Sequence, residues 1–546
     1  MKKGCLLLIL AAALSQLPAA EPQHARKVQA NPKAGSQQAT AAAQDRTADG
    51  LVQAQMLSGL PTGWAALKNI SNNTTDSEVA VGAVDANGNA YCTWTEWHGD
   101  VGAERDITFA TNKSGSWSTP YGWSLDYPDV LDVGFPAIAV TSDGATAVVA
   151  YHDGDLSLSL MTIKEREYAN GTWSSIKNIS GSSESCSYVT LSTNPVDNTI
   201  FAVWMASLDE GFGLKYKYRD PTTGQWSAAM QIGSVPAGGQ YLPNIYLDKS
   251  GVAHLVYIVR SGTASVWYTK NTNPKNSSGW TTPLQIAPDS GLNFTYPKVT
   301  ADWDGNAYVV WQQIQSGLSS IMLRYMVDGA WGSAQNISNL TDPSETAYPA
   351  VNGTTKEMYF VWQTAFGFAS GNTNWDVCMK TYEIDKTTGQ KAWSDVYRVT
   401  NYPGHAGEPQ IKITKEGDLH LFFFDNLVGD GQAEIYYSYK MAPRLAAVAA
   451  PAVTSQLDKV LFGALKWNTV TFAKNTNNDD TKLQEYRIYR KKAEEADSAF
   501  TQLASLGIST FQYVDKNLAP GQRYAYLVSV VNKDGLEMKS AATIEP

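Results

Sequence analysis

The sequence predicts an all-β fold, a seven-bladed β-propeller followed by a β-sandwich, and three observations predict it. A Gly shortly followed by Trp recurs at intervals of 51 to 62 residues. Between these markers a tight turn followed by an alternating apolar strand recurs just as often. Residues 452–546 then abandon both markers while keeping strand-like alternation. Self-similarity at such a period is the signature of propellers or solenoids.

The Trp marker stands at Trp64, Trp117, Trp173, Trp226, Trp280, Trp331 and Trp393. The turn-plus-strand marker spans 85–94, 142–151, 195–204, 248–257, 302–311, 353–362 and 415–424, as in DWDGNAYVVW from Asp302 to Trp311. Asp-Gly and Asn-Gly pairs between alternating runs signal hairpins, because the tight turn needs positive φ. A short apolar strand precedes each turn, often opened by a proline, as at Pro136, Pro243, Pro297, Pro349 and Pro409. Proline cannot donate to a ladder, so this strand needs a free edge, as the innermost strand beside a central channel has. A third strand follows each hairpin (Ile107-Thr108-Phe109 and its counterparts), and the Trp marker opens a fourth. Four antiparallel strands per repeat make a propeller blade.

The order of the markers sets the closure. The chain enters on Trp64 with no hairpin before it, and the seventh hairpin and third strand run out to Lys440 with no Trp after them. Residues from about 58 to 71 are therefore expected to supply the outer strand of the last blade, which protects two sheet edges.

The predicted domains are a signal peptide (1–20), a disordered lead-in (21–55), the propeller (56–443), an Ala-Pro-rich joint (444–451) and a terminal sandwich (452–546). The signal reading rests on Lys2 and Lys3, the apolar stretch from Leu6 to Leu14 and the small residues at 18–20. Cys5 lies ahead of that stretch, which argues against lipid anchoring, so export to periplasm or medium is expected. No later apolar run is long enough for a membrane span. The net charge of -10 argues against nucleic acid, whose affinity comes from clustered Lys and Arg. Cys92, Cys186 and Cys378 are widely spaced and read as buried thiols, not as a metal site or a disulfide framework.

Segments such as WSSIKNIS (Trp173 to Ser180), YPKVTADWDGNAYVVWQQ (Tyr296 to Gln313) and NKSGSW (Asn112 to Trp117) resemble the Asp-box, or BNR-like, repeats of the sialidase-type propeller superfamily. The box is degenerate here, with Lys113 and Asn170 at its Asp position. The tail, with Ala464 to Trp467, Glu485 to Arg490 and Leu518 to Val528, is similar to fibronectin type III modules, which implies a Trp of the second strand and a Tyr of the sixth filling a two-sheet core. The superfamily holds hydrolases, lyases and binding proteins alike, so the resemblance implies a fold more than an activity. A sialidase site takes three arginines around a carboxylate. The arginines of the repeats (Arg105, Arg166, Arg219, Arg260, Arg324, Arg398) lack the Arg-Ile-Pro setting that opens such a site.

Ligands of propellers meet the face carrying the ends of the second strands. The candidate binding residues there are Glu96, Trp97, His98, His152, Asp153, Arg260, Gln312, Gln313, Gln363 and Asp425. Carboxylates, imidazoles and an arginine converging on one funnel suit acid–base work on a sugar or plain recognition of one. Trp97 and Trp123 fall outside the repeat pattern and are candidate platforms. His254 and His420 occupy equivalent mid-strand positions and read as structural. No cofactor is expected; calcium is the one ion entertained, at Asp126, Asp129 and Asp132 in one loop. The expected function is an exported, non-catalytic protein binding a polysaccharide, other glycan or protein ligand. The alternative is a carbohydrate-active enzyme, hydrolase or lyase. The sequence assigns no oligomeric state.

Overall fold

The computed structural model describes residues 56–545 apart from short segments between strands, the longer being 98–104, 123–132, 156–159, 234–237, 288–292, 385–389, 427–431, 443–446 and 533–536. The expected signal, the lead-in, His98, Trp123 and the 126–132 aspartate loop fall outside the described residues.

The chain is all-β and of propeller type. Between residues 56 and 440 seven sheets follow one another, numbered here one to seven. Sheet one runs Asp76–Val84, Ala90–Trp97, Arg105–Thr111 and Tyr121–Gly122 in spatial as in chain order. The first strands of the other six are Val133–Val140, Cys186–Thr193, Gln240–Leu247, Asn293–Ala301, Ser344–Val351 and Ala406–Ile413, each at one edge of its sheet. Each first strand lies against the next, and that of sheet seven lies against that of sheet one, which closes a ring around a central channel.

Second strands have neighbouring sheets on both faces. Met358–Thr364 and Leu419–Asp425 are buried at every residue, which is why these strands read as near-continuous apolar runs. Trp94, Trp204, Trp311 and Trp362 lie within them, two to four residues short of their ends, and are fully buried. Four of the marker tryptophans do different work, packing edge-on against an aromatic in the third strand of the preceding sheet. Trp117 meets Tyr437, Trp173 meets Phe109, Trp280 meets Tyr216 and Trp331 meets Tyr268, with ring centroids 4.9, 4.9, 5.8 and 5.1 Å apart. Edge-to-face pairs of this kind add about 0.5–1.5 kcal/mol beyond the area they bury. The repeat period is thus the spacing of inter-sheet wedges.

Three of the hairpin turns are locked by an Asp (Asp85, Asp248 and Asp302), and two more by an Asn at the same place (Asn194 and Asn352). Asp302 accepts from the backbone N–H of Asp304 and Asn306 and from the Tyr308 hydroxyl (2.9, 2.9 and 3.0 Å). At the equivalent turn Asp248 faces His254 Nε2 at 3.2 Å, and the other ring nitrogen faces the Tyr268 hydroxyl at 2.8 Å. His420 likewise sits 2.9 Å from the Tyr437 hydroxyl, and burial pulls its pKa down to about 4. Cys92, Cys186 and Cys378 are free and buried, and burial pushes the Cys378 thiol up to about 12.

Lys68–Asn69 pairs antiparallel with Tyr436–Tyr437 of sheet seven, and Trp64 bridges to Lys440. The strand is shorter than the 58–71 expected. Met56–Ser58 instead runs parallel to Val396–Arg398 of sheet six, so the N-terminal segment spans two sheets. At the same seam, a Cβ on Gly82 of sheet one would lie 2.3 Å from the Phe422 ring of sheet seven. Gly82→Val is expected to lower stability by about 1–3 kcal/mol, the usual overpacking cost, as read by chemical denaturation.

Residues beyond 451 form two sheets. One holds Ala452–Val460, Gly463–Thr471 and Gln512–Asp515; the other holds Thr501–Leu506, Leu483–Lys492, Tyr524–Asn532 and Glu537–Lys539. Tyr486, Ile488, Tyr526 and Val528 fill the space between with Val470. The expectation that Trp467 fills this core is corrected. The two-residue period turns Asn468 and Val470 inward, which leaves Trp467 half-buried and bonded to Gln456 on the adjacent strand.

Candidate binding site at the channel mouth

The site is built by a backbone irregularity repeated once per sheet. Val79, Phe135, Tyr188, Leu242, Tyr296, Thr346 and Glu408 are non-glycine residues with φ between 47° and 55°. Each lies where the pairing of first and second strand slips by a bulge. Such a backbone costs about 1–3 kcal/mol per residue, and bulges re-aim side chains next to functional sites. All seven line the central cavity of about 190 Å³. The first strands thus project a ring of side chains into the channel near the face where the second strands end.

This ring is asymmetric. Phe135 lies between His152 and Tyr188, with ring centroids 5.2 and 5.1 Å away. The Arg260 guanidinium lies 5.6 Å over the Tyr241 ring, and Tyr188 and Tyr296 bear on its charge from the flanking sheets. Burial works against that charge and the three tyrosines favour it. An arginine keeps its proton throughout. Burial raises the Tyr296 phenol out of the titrating range, with Tyr188, Glu408 and Glu345 adding to the effect and Arg260 opposing it. Burial also raises the Glu345 carboxyl, to which the Ser319 hydroxyl donates at 3.3 Å. Across the ring, the Arg105 guanidinium stacks 4.0 Å over Trp97, whose indole N–H donates to Glu78 at 3.2 Å. A Cβ on Gly134 would sit 3.3 Å from His152 and 3.7 Å from Arg105. A side chain at this position would crowd the imidazole, which would have to give by a few tenths of an ångström.

The described residues among those expected from sequence lie towards the ends of second strands, and the structure divides them. Arg260 and Trp97 are half-buried and join the arrangement, as does His152, although it is only 3% exposed. Glu96 is committed to the fold, accepting from Asn73, Ser77 and Trp94 at 2.9, 2.8 and 2.7 Å and from Thr75. Asp153 pairs with Lys164 at 3.1 Å. Gln312 is buried against Glu345, while Gln313 is half-buried beside it in the strand. Gln363 accepts from the Glu408 backbone N–H at 2.8 Å and so holds the bulge of sheet seven in place. Asp425 is 1% exposed, and burial, with help from nearby Asp376, pushes its pKa up to about 7. The five buried ones, Glu96, Asp153, Gln312, Gln363 and Asp425, therefore shape the mouth from behind and do not present an open funnel.

Sequence reasoning missed Phe135, Tyr188, Tyr241, Tyr296, Glu345 and Glu408. A signal existed in four sheets, where a proline follows the bulge residue: Pro136, Pro243, Pro297 and Pro409. A residue before proline is normally held to extended backbone, so positive φ there marks a strained site. Pro349 does not belong with them, because it lies past the bulge of sheet six and pairs opposite Phe360.

No family model and no curated protein matches this chain. Among solved structures it is similar to a protein of unknown function from Dyadobacter fermentans (12% identity, TM-score 0.43, covering 69% of this chain and 99% of that one). It is also similar to a polysaccharide lyase (10% identity, TM-score 0.45, 70% and 92%) and to a leech intramolecular trans-sialidase (9% identity, TM-score 0.39, 65% and 89%). At these identities and scores, no residue role passes from them to this chain.

Proposed function

We propose that the protein is an exported seven-bladed β-propeller, with a fibronectin type III-like module as spacer, that binds an acidic glycan at the channel mouth. The observation that carries this reading is Arg260 set among Tyr188, Tyr241 and Tyr296 from three successive sheets. Aromatic faces pack on the apolar faces of sugar rings, and a guanidinium matches a carboxylate or sulfate in two parallel hydrogen bonds. Phe135 continues the aromatic wall towards sheet two.

The secreted protein is expected to be retained on at least one column of a panel of acidic polysaccharides. Arg260→Ala is expected to weaken retention about tenfold or more, the worth of a charged hydrogen-bonded pair. Tyr296→Ala should weaken it in the same direction. Unchanged retention in both variants would overturn the site.

One observation favours the enzyme reading as the second: His152, whose imidazole is the side chain most often used for general acid–base catalysis, lies beside the Phe135 ring at the same mouth. The reading expects release of reducing or unsaturated ends from the retained polymer, abolished in His152→Ala. Retention without product removes it.

A further inference from the structure

One layer below the bulges, the first strands place a second group of polar side chains in the channel. Sheet five contributes Lys298, sheet six Tyr348 and sheet seven, one layer deeper, Lys412. All three line the cavity and are half-buried. The Lys412 ammonium donates to the Tyr348 hydroxyl at 3.0 Å and stands 4.2 Å from that ring's centroid. The Lys298 ammonium stands 5.6 Å from the same ring. Two positive charges thus share one phenol.

We propose that this layer is a separate binding site for an oxyanion, a sulfate or a carboxylate, held between the Lys298 and Lys412 ammonium groups with the Tyr348 hydroxyl as a further donor. Among the described residues neither lysine forms an ion pair with a carboxylate. Ammonium groups drawn out of water are costly unless an opposite charge compensates them. Burial pulls the Lys298 pKa down and Lys412 adds to that effect, while Tyr348 and Glu408 oppose it without cancelling it. The Tyr348 phenol moves the other way from what its burial demands: the two lysines together hold it below its ordinary value. The charge imbalance is therefore expressed in the protein, and a bound oxyanion relieves it. The wall across the channel, with Val81 and Ala137, is apolar, and the carboxylate that lines the cavity, Glu408, bears on Lys298 only through space, as the weakest of the influences on it. The cavity of about 190 Å³ far exceeds the roughly 10–15 Å³ that one water needs, so a small oxyanion fits.

The site is independent of glycan binding at the mouth, and its test uses no polymer. Thermal unfolding of the full chain is followed against sodium sulfate and against sodium glucuronate, with sodium chloride at matched ionic strength as the control. A saturable rise in melting temperature beyond the chloride control is expected, because a ligand of the native state alone stabilises by mass action. A response to sulfate alone assigns the site to a free inorganic oxyanion, and a response to both admits the acidic group of a sugar. Lys298→Met with Lys412→Met is expected to weaken the apparent affinity at least about tenfold, and Tyr348→Phe by less. Either single lysine variant reads the same loss in smaller measure should the double variant not fold. The proposal is overturned if neither anion exceeds chloride, or if the lysine variants respond as the parent does. A chain that retains no polysaccharide still reports on this channel, so the failure of one reading leaves the other standing.

Discussion

Deleting residues 56–72 is expected to cost the ring most of its stability. The segment supplies the outer strand of sheet seven through Lys68 and Asn69, the Trp64 bridge to Lys440 and the parallel pairing of Met56–Ser58 with sheet six. It also brings Ile70 into the core between sheets seven and one, and Leu60, Trp64 and Leu67 against the core between sheets six and seven. Burying a large apolar side chain stabilises by about 1.5–3 kcal/mol. Four of them, some only partly covered, amount to roughly 5 kcal/mol, within the range of the whole stability of an ordinary domain. Ser71 adds hydrogen bonds: its hydroxyl donates to the buried Glu434 carboxylate and accepts from the Ile435 N–H at 2.8 Å. Removing it leaves Glu434 buried without that donor, which adds a desolvation cost. Thermal unfolding of the truncated protein is therefore expected to shift down by many degrees and to broaden, as sheets six and seven separate from the rest. Melting that coincides with the full chain would show that the segment does not close the ring.

What the sequence carried well was periodic. Turn residues, apolar second strands and marker tryptophans recur because every sheet needs the same lock, the same two-sided burial and the same wedge, and Asp302, Trp311 and Trp331 can be read from one repeat to the next. What it carried poorly was whatever breaks the period. The bulge residues have nothing in common chemically, ranging from Val79 to Glu408, because the bulge is a property of the backbone pairing and leaves the side chain free to vary. That freedom is what makes the ring a place for function. Position along a second strand likewise said which end of the channel Glu96, Asp153 and Arg260 occupy. It did not say that Glu96 turns back to Asn73 and Ser77, or that Arg260 meets the tyrosines, since those depend on partners in other strands and other sheets.

Asp425 is expected to make the protein less stable as pH rises, with a slope of unusual size for one carboxyl. The residue lies at the end of its strand, opposite Ala406 on one side and Glu434 on the other. Its Oδ2 is buried without a hydrogen-bond partner among the described residues. Nearby Asp376 is already engaged by Arg398 at 2.6 Å and by the Thr400 hydroxyl at 3.1 Å, so that guanidinium serves another carboxylate. Burial first, and the Asp376 charge second, raise the Asp425 pKa from 3.8 to about 7. Between those values the folded protein holds a proton that the unfolded chain has released. Stability from this group is therefore complete below the unfolded value and is lost as pH rises towards 7. The shift spans about three units at about 1.4 kcal/mol each, or about 4 kcal/mol. Asp425→Asn keeps the shape without the charge. It is expected to match the parent near pH 4 and to exceed it by up to about 4 kcal/mol at pH 8, read as the difference between denaturation midpoints across the series. Taking the difference also removes the contribution of His420, whose lowered pKa destabilises in the opposite direction as pH falls from 6.5 towards about 4. Parent and variant running parallel at every pH would mean that Asp425 is ionised and solvated in the native protein, and would return it to the open mouth where the sequence had placed it.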